Sequence, residues 1–380
     1  MVDESKVSRL DSLTGARFIA AASVFIFHAA SIRIFQPTGP DSDFFLTISA
    51  TSGTMAVSFF FVLSGFILTW SARKYDTARE FYRRRFFKIF PNHIVTFLLS
   101  LVVYATLAGA LLPALLNITL LHAWVPKMPY FISFNHVTWS LSCELLFYAA
   151  FPLLYKLAQR IPVRRLWWAA GGVLAAIFVV PLFAKLLPTE PRMMLLLTDN
   201  QSFSEPILQY WFVYIFPPVR LLDFVLGILM ARIVLAGRWI NLRPLPALAV
   251  VVACYVLASF VPFLYSLNAV TIVGVALVIP AVASAETAGR PTFLASRPMI
   301  WLGEISFAFY MVHMMVILYG RQQVGYRHFL NTTQGIGWIL LMFAITLVGG
   351  WLLYVAVERP MMRRFARARR KRPAVETTVS

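Results

Sequence analysis

GTMAVSFFFVLSGFILTW, Gly53 to Trp70, runs for eighteen residues without a charged side chain. Crossing about 30 Å of hydrocarbon takes roughly 20 apolar residues of helix, so this stretch, the core of a run near 54–72, reads as a membrane span. Working outward, nine more runs of that kind lie near 14–34, 92–112, 136–156, 165–186, 209–235, 244–262, 268–286, 300–320 and 336–357. Pro, Gly and charge punctuate them, at Pro37–Gly39, Pro91, Pro113, Pro188–Pro191, Pro244–Pro246 and Pro291. Composition points the same way. Of 380 residues 59% are hydrophobic and 13% charged, whereas soluble domains carry about 45–50% and about 25%. The expected fold is all-α integral membrane, a bundle of about ten transmembrane helices. Cys143 and Cys254 sit in apolar runs and read as small packing residues rather than a bridge.

Ten spans put both termini on one side, and the basic residues choose which. Of the 34 Lys and Arg, 27 fall in segments that would share the N-terminal side. They are Lys6, Arg9 and Arg17, the loop Arg73–Lys88, Lys156–Arg165, Arg232–Arg243, Arg290 with Arg297, and the tail Arg359–Arg372. Six lie opposite, and Arg220 falls inside a span. The positive-inside rule turns that bias into N-in, C-in. It also accounts for a net charge of +18 without nucleic acid. The division expected is a membrane domain over 1–360 and a basic, disordered cytoplasmic tail over 361–380.

An ionisable side chain at bilayer depth is costly and marks a candidate site, structural pairing being the ordinary alternative. Five stand out: His28, Glu144, Arg220, Asp223 and His313. Counted along their spans, His28, Glu144 and His313 fall in the outer half and Arg220 near the middle. Arg220 and Asp223, three apart, share a helix face and can neutralise each other. Glu144 has no basic residue within a turn, so it needs a partner on another span or a proton. The run FYRRRFFKIFP, Phe81 to Pro91, reads as a loop entering the third span. Arg83, Arg84, Arg85 and Lys88 there suit either anionic lipid and topology or phosphate recognition. The six histidines lack metal-ligand spacing, so no metal is expected.

Taken together, these stretches resemble the acyltransferase 3 family of bacterial integral-membrane acyltransferases. The likeness rests on RLDSLTGARFIAAASVFIFHAA, with Arg17 and His28 separated by ten residues, and on the second-span motif around Ser64–Gly65–Phe66. It rests also on FYRRRFFKIFP, on WSLSCELLFY from Trp139 to Tyr148 with Glu144, and on PPVRLLDFVLG with Arg220. ISFAFYMVH, with Tyr310 and His313, and VERP around Glu358 complete the order. Asp223 stands where the family more often has Glu.

The resemblance implies ten helices and transfer of an acyl group, expected to be acetyl, from cytoplasmic acyl-CoA as co-substrate, with no permanently bound cofactor. The acceptor would be a hydroxyl of a cell-surface glycan or lipid-linked saccharide, and the location the bacterial inner membrane. In that reading Arg17, Ser64, Arg83, Arg84, Arg85 and Lys88 hold the donor. His28 is the general base, Glu144 orients it, and His313 or Arg220 steadies the oxyanion. Trp139, Tyr310 and Asp223 shape the site. The alternatives are the same chemistry on a small hydroxylated metabolite, or a transporter or flippase without acyl chemistry.

Overall fold

The computed structural model describes residues 9–35, 40–72, 77–104, 111–198, 201–325 and 328–365. Its helices are α1 Asp11–Ser31, α2 Pro40–Ser49, α3 Ser52–Trp70, α4 Ala78–Tyr104, α5 Leu111–Ile118, α6 Met128–Phe131, α7 Trp139–Gln159 and α8 Leu166–Ala184. They continue as α9 Ile207–Tyr210, α10 Pro217–Leu235, α11 Pro244–Ala258, α12 Phe263–Ser266, α13 Thr271–Thr287, α14 Arg297–Val324, α15 Thr332–Leu353 and α16 Arg359–Phe365. Eight helical stretches are long and apolar enough to cross a membrane. The other two expected spans are α10, which carries Arg220, Asp223 and Arg232, and α11, which has 15 residues. The protein is an all-α integral membrane protein. Among the described residues its strands form one antiparallel hairpin, β1 Arg192–Thr198 with β2 Gln201–Pro206.

Three boundaries differ from the sequence reading. α4 starts at Ala78, so Phe81–Pro91 is helix rather than loop and Pro91 lies inside it. Arg73 and Lys74 of the expected loop lie outside the described residues. The sixth span is interrupted: a π turn, Trp211–Ile215, ends at an extended Phe216, and α10 begins with Pro217 and Pro218 in its first turn. Proline fits there because its missing N–H is unpaired in any helix start. Arg220 therefore sits at the first turn of α10, just past the interruption and near the middle of the run 207–235. At the C-terminus α16 continues to Phe365, and the rest of the tail, 366–380, lies outside the described residues.

Helix ends alternate between two ends of the bundle, as in a chain threading back and forth. At one end Glu286, at the close of α13, accepts from the backbone N–H groups of Asp11 and Ser12 at 2.7 and 3.0 Å. That places a carboxylate at the positive N-terminus of α1. There too Arg9 pairs with Glu304 at 2.7 Å, and Lys88 pairs with Glu358. At the opposite end buried Arg321 donates to the carbonyls of Gly325 and His328 at 2.6 and 2.8 Å and of Ile32 at 3.3 Å. That clasp ties the close of α1 to the close of α14.

α1 and α14 cross closely near the first end. A Cβ on Gly303 would enter the van der Waals shell of the Thr14 carbonyl oxygen. α3 and α10 meet in the same manner, where a Cβ on Gly227 would strike the Val62 carbonyl. Lipid tails are as apolar as leucine, so helices in a membrane associate through close packing and hydrogen bonds, and small residues permit it. The segment between α4 and α7 folds inward instead of staying at the surface. Asn135 Nδ2 donates to the Met311 carbonyl at 2.8 Å, Tyr310 Oη to the Val137 carbonyl at 3.1 Å, and Ser142 Oγ to the Leu120 carbonyl at 2.5 Å.

Candidate active site

The α1–α14 crossing brings His28 and His313, 285 residues apart in sequence, to 2.9 Å between Nδ1 and Nε2. The other nitrogen of His313, Nδ1, lies 2.5 Å from the Tyr310 carbonyl oxygen one turn back on α14. A carbonyl only accepts, so His313 Nδ1 carries a proton, and in the neutral ring Nε2 is then the acceptor. His28 Nδ1 must therefore be the donor to it. The neutral His28 ring is left with a bare lone pair on Nε2. His313 is fully buried, while His28 keeps part of its surface accessible. One imidazole is thus locked, and it holds the tautomer of the more open one.

Glu144 does not orient His28 in this arrangement. It sits in the second turn of α7 and accepts from Tyr148 Oη at 3.1 Å. Ser64 lies against the same tyrosine hydroxyl, and the Arg85 guanidinium stands 5.5 Å over the Tyr148 ring. Arg17, Arg85 and Lys88 are the cations within electrostatic reach of the Glu144 carboxylate. Glu144 thus belongs to a basic neighbourhood, and His313 takes the orienting position expected for it.

A small chamber of about 40 Å³ is walled by Phe60, Phe61, Leu141 and Phe307 together with Arg17, Glu144 and Tyr310; neither histidine of the pair lines it. Ser140 and Ser306 also line it, and Ser140 Oγ lies 2.9 Å from Tyr310 Oη. The Tyr310 ring is 5.3 Å from that of His313. Arg17 is shared with a larger cleft of about 580 Å³ at the N-terminal end of the bundle, lined also by Arg9, Lys88, Glu358, Arg359 and Arg363. Polar groups thus run from the cleft through the chamber to the histidine pair. Eleven residues of helix separate Arg17 from His28, roughly 16 Å at 1.5 Å per residue.

The four basic residues expected to act together do not share one surface. Successive residues of a helix turn through about 100°. On α4 that carries Arg85 over Tyr148 and Lys88 to Glu358, and Arg83 and Arg84 are not in the cleft wall. Lys88 is held further by Asn92, whose Nδ2 donates to the second Glu358 oxygen at 2.7 Å. Arg220 is wholly buried and pairs with Asp223 at 2.8 Å. Its Nη2 donates to Ser58 Oγ at 2.9 Å, Ser58 donates to Asn268 Oδ1 at 2.8 Å, and Asn268 Nδ2 donates to Asp223 Oδ1 at 2.9 Å. This closed ring ties α3, α10 and the entry to α13 together. It makes Arg220 and Asp223 a structural pair. They do not themselves line the chamber, but the Arg220 guanidinium stands 5.1 Å over the ring of Phe61, which does. Trp139 packs against Phe61 and Tyr214, whose rings also flank the Arg220 guanidinium. Both cysteines are free.

Sequence reading passed over Ser58, Asn268, Ser140 and Ser306, whose small uncharged side chains carry no depth signal. It also passed over Arg9, Arg359 and Arg363 as site residues, having counted them only toward topology.

The sequence model of a family described as an acyltransferase domain matches residues 10–355. An acyltransferase of Streptomyces mycarofaciens, MdmB, is 41% identical over 377 residues, which cover 96% of this chain and 94% of that one. A putative peptidoglycan O-acetyltransferase of Bacillus subtilis, YrhL, is 25% identical over 337 residues, 82% of this chain and 51% of the other. No solved structure matches.

Proposed function

The chain belongs to the acyltransferase 3 family and is a multi-pass membrane acyltransferase; on that premise we propose that it is an O-acyltransferase in which His28 Nε2 is the general base. The observation that carries the reading is the chain of hydrogen bonds from His28 through His313 to the Tyr310 carbonyl. A hydroxyl is a weak nucleophile until a base takes its proton, and an imidazole fixed in one tautomer is suited to that. In the step proposed, the acceptor O–H gives its proton to His28 Nε2 as its oxygen attacks the thioester carbonyl of acyl-CoA. The C–S bond breaks, and the departing thiolate takes the proton back from His28. His313 Nε2, accepting from His28 Nδ1, stabilises the imidazolium in between, much as a carboxylate does in a hydrolytic triad.

In this reading the donor enters from the cytoplasm at the basic end of the bundle, with Arg17 and Lys88 near its phosphates. Its arm lies along α1 past Ser64 and Glu144, and its acyl group, expected to be acetyl, reaches His28. The acceptor is a hydroxyl of an exported or surface saccharide in the bacterial inner membrane. The name of the Bacillus subtilis relative supports that acceptor class, and the position of His28, three residues from the close of α1, supports approach from the outer side. The test is purified protein in liposomes with labelled acetyl-CoA, together with mass analysis of surface saccharide from a deletion strain. Loss of one acyl group per repeat in that strain, and label transfer in vitro that disappears in His28→Ala, is the expected result. An active His28→Ala protein overturns the assignment of the base.

A further inference from the structure

The segment that folds inward between α4 and α7 carries a third histidine, His136, toward the pair. The residues on either side of it are tied to α14 one turn before His313. Asn135 Nδ2 donates to the Met311 carbonyl at 2.8 Å, and the Val137 carbonyl accepts from Tyr310 Oη at 3.1 Å. Asn135 and Val137 are each 1% exposed, whereas His136 between them keeps part of its surface accessible. Its imidazole is within electrostatic reach of His28. Just ahead of the clamps Phe134 holds a φ of 55°, in the left-handed region that a bulky side chain seldom adopts, with its ring 4.9 Å from that of Phe97. Strain of this kind persists only where the surroundings over-determine the backbone, and it collects at functional sites. Asn135 adds a second sign. Its Oδ1 is buried and has no hydrogen-bond partner among the described residues, and a buried acceptor left unmet is costly.

Acyl transfer needs more than a base, because the attacking oxygen must also be held in line with the group it attacks. The histidine pair has little left for that task. His28 Nδ1 is engaged by His313, and His313 Nδ1 by the Tyr310 carbonyl, so only His28 Nε2 meets the reacting hydroxyl. A neutral imidazole has one N–H donor and one lone pair, which matches a hydroxyl, itself donor and acceptor. Resting on the acyl-transfer reading above, we propose that His136 binds the acceptor, through a second oxygen next to the hydroxyl that reacts, and so selects which hydroxyl meets His28 Nε2. Asn135 Oδ1 stands by as a further hydrogen-bond acceptor in the same clamped segment. The substrate class this implies is a polyhydroxylated molecule with neighbouring oxygens rather than an isolated alcohol. The segment starts where α4 closes, at the end opposite the basic cleft, so acceptor and donor are recognised from opposite ends of the bundle.

The test uses the purified full-length protein in liposomes with labelled acetyl-CoA and a membrane fraction from a deletion strain, which supplies the native acceptor. Two variants are compared with wild type. H136F keeps an aromatic ring without hydrogen-bonding nitrogens, and H136Q keeps one donor and one acceptor. Label is followed in the acylated acceptor and in free acetate, which reports transfer to water, a nucleophile with no second oxygen to bind. H136F should raise the amount of membrane fraction needed for half-maximal transfer about tenfold, as expected for a lost hydrogen bond. Its KM for acetyl-CoA should stay near the wild-type value, and transfer should fall further than acetate release. H136Q should recover most of the transfer. Fragmentation mass spectrometry should find one acylated hydroxyl with wild type and a mixture of neighbouring positions with H136F. Equal transfer by wild type and H136F overturns the proposal. Equal loss in H136F and H136Q overturns it too, because packing is then what His136 provides. Acetate release that falls in step with transfer places His136 with the base and likewise overturns acceptor binding. Each of these failures leaves wild-type transfer intact; a wild-type protein that labels no acceptor removes the acyl-transfer reading itself, and this proposal with it.

Discussion

At the level of single residues the proposed chemistry rests on one lone pair, that of His28 Nε2. His28→Ala should lower turnover by about 10²–10⁴, the usual contribution of a general base, with membrane abundance unchanged. His313→Ala should lower kcat as well while leaving the KM for donor near its original value, because it removes the group that fixes the tautomer and not one that touches the donor. Steady-state kinetics with acetyl-CoA check both, and a rise in KM alone for His313→Ala would contradict its orienting role. The Arg220–Asp223 pair calls for a different outcome. Removing one member of a buried pair strands the other charge and costs about 3–5 kcal/mol, whereas replacing both with apolar residues is often tolerated. Arg220→Met should therefore lower the unfolding temperature sharply in detergent, and R220M/D223L should recover most of it and keep acyl transfer. A stable but inactive double variant would return Arg220 to the chemistry.

Helices and their crossings are where the sequence was most and least legible. Uninterrupted apolar runs such as Gly53–Trp70 needed only length to be read as spans, and the structure has helices at all ten. Phe81–Pro91 was misread because its charges resemble a loop, although Phe81 and Ile89 are buried at helical spacing. The break before α10 had a local signal in Pro217–Pro218, which was absorbed into the apolar run. Crossings leave a fainter trace, since a glycine in a span says nothing of its neighbour until that neighbour is placed. Gly303→Ala should force α14 away from α1, at about 1–3 kcal/mol for overpacking, and widen the His28–His313 contact. The expected result is a lower unfolding temperature with reduced kcat. Gly337→Ala on α15, where an added Cβ meets nothing within 4 Å, is the control and should change neither.

Across the whole molecule, orientation and long-range pairing separate what one sequence can tell from what it cannot. The 27 basic residues on one side argue for N-in, C-in by charge alone. Cysteine introduced at exposed Asn331, beside the Arg321 clasp, should react with an impermeant reagent applied to intact cells, and cysteine at exposed Arg164 should not. The reverse labelling would invert the assignment of faces. No spacing rule joins His28 to His313 or Lys88 to Glu358, 285 and 270 residues apart, because such pairs follow from how the spans pack. The meeting of Arg9 with Glu304, and of Arg17 with Arg359 and Arg363 in one cleft, has a consequence for biosynthesis. The ribosome delivers α1 to the bilayer first and α16 last, so the opening half of the cleft waits through nearly the whole of translation for its closing half. A nascent chain arrested before α14 has neither the His28 partner nor the arginines of α16, so it lacks both the histidine pair and the closed cleft. Completion of synthesis is thereby a precondition for assembling the candidate site, imposed by chain order alone.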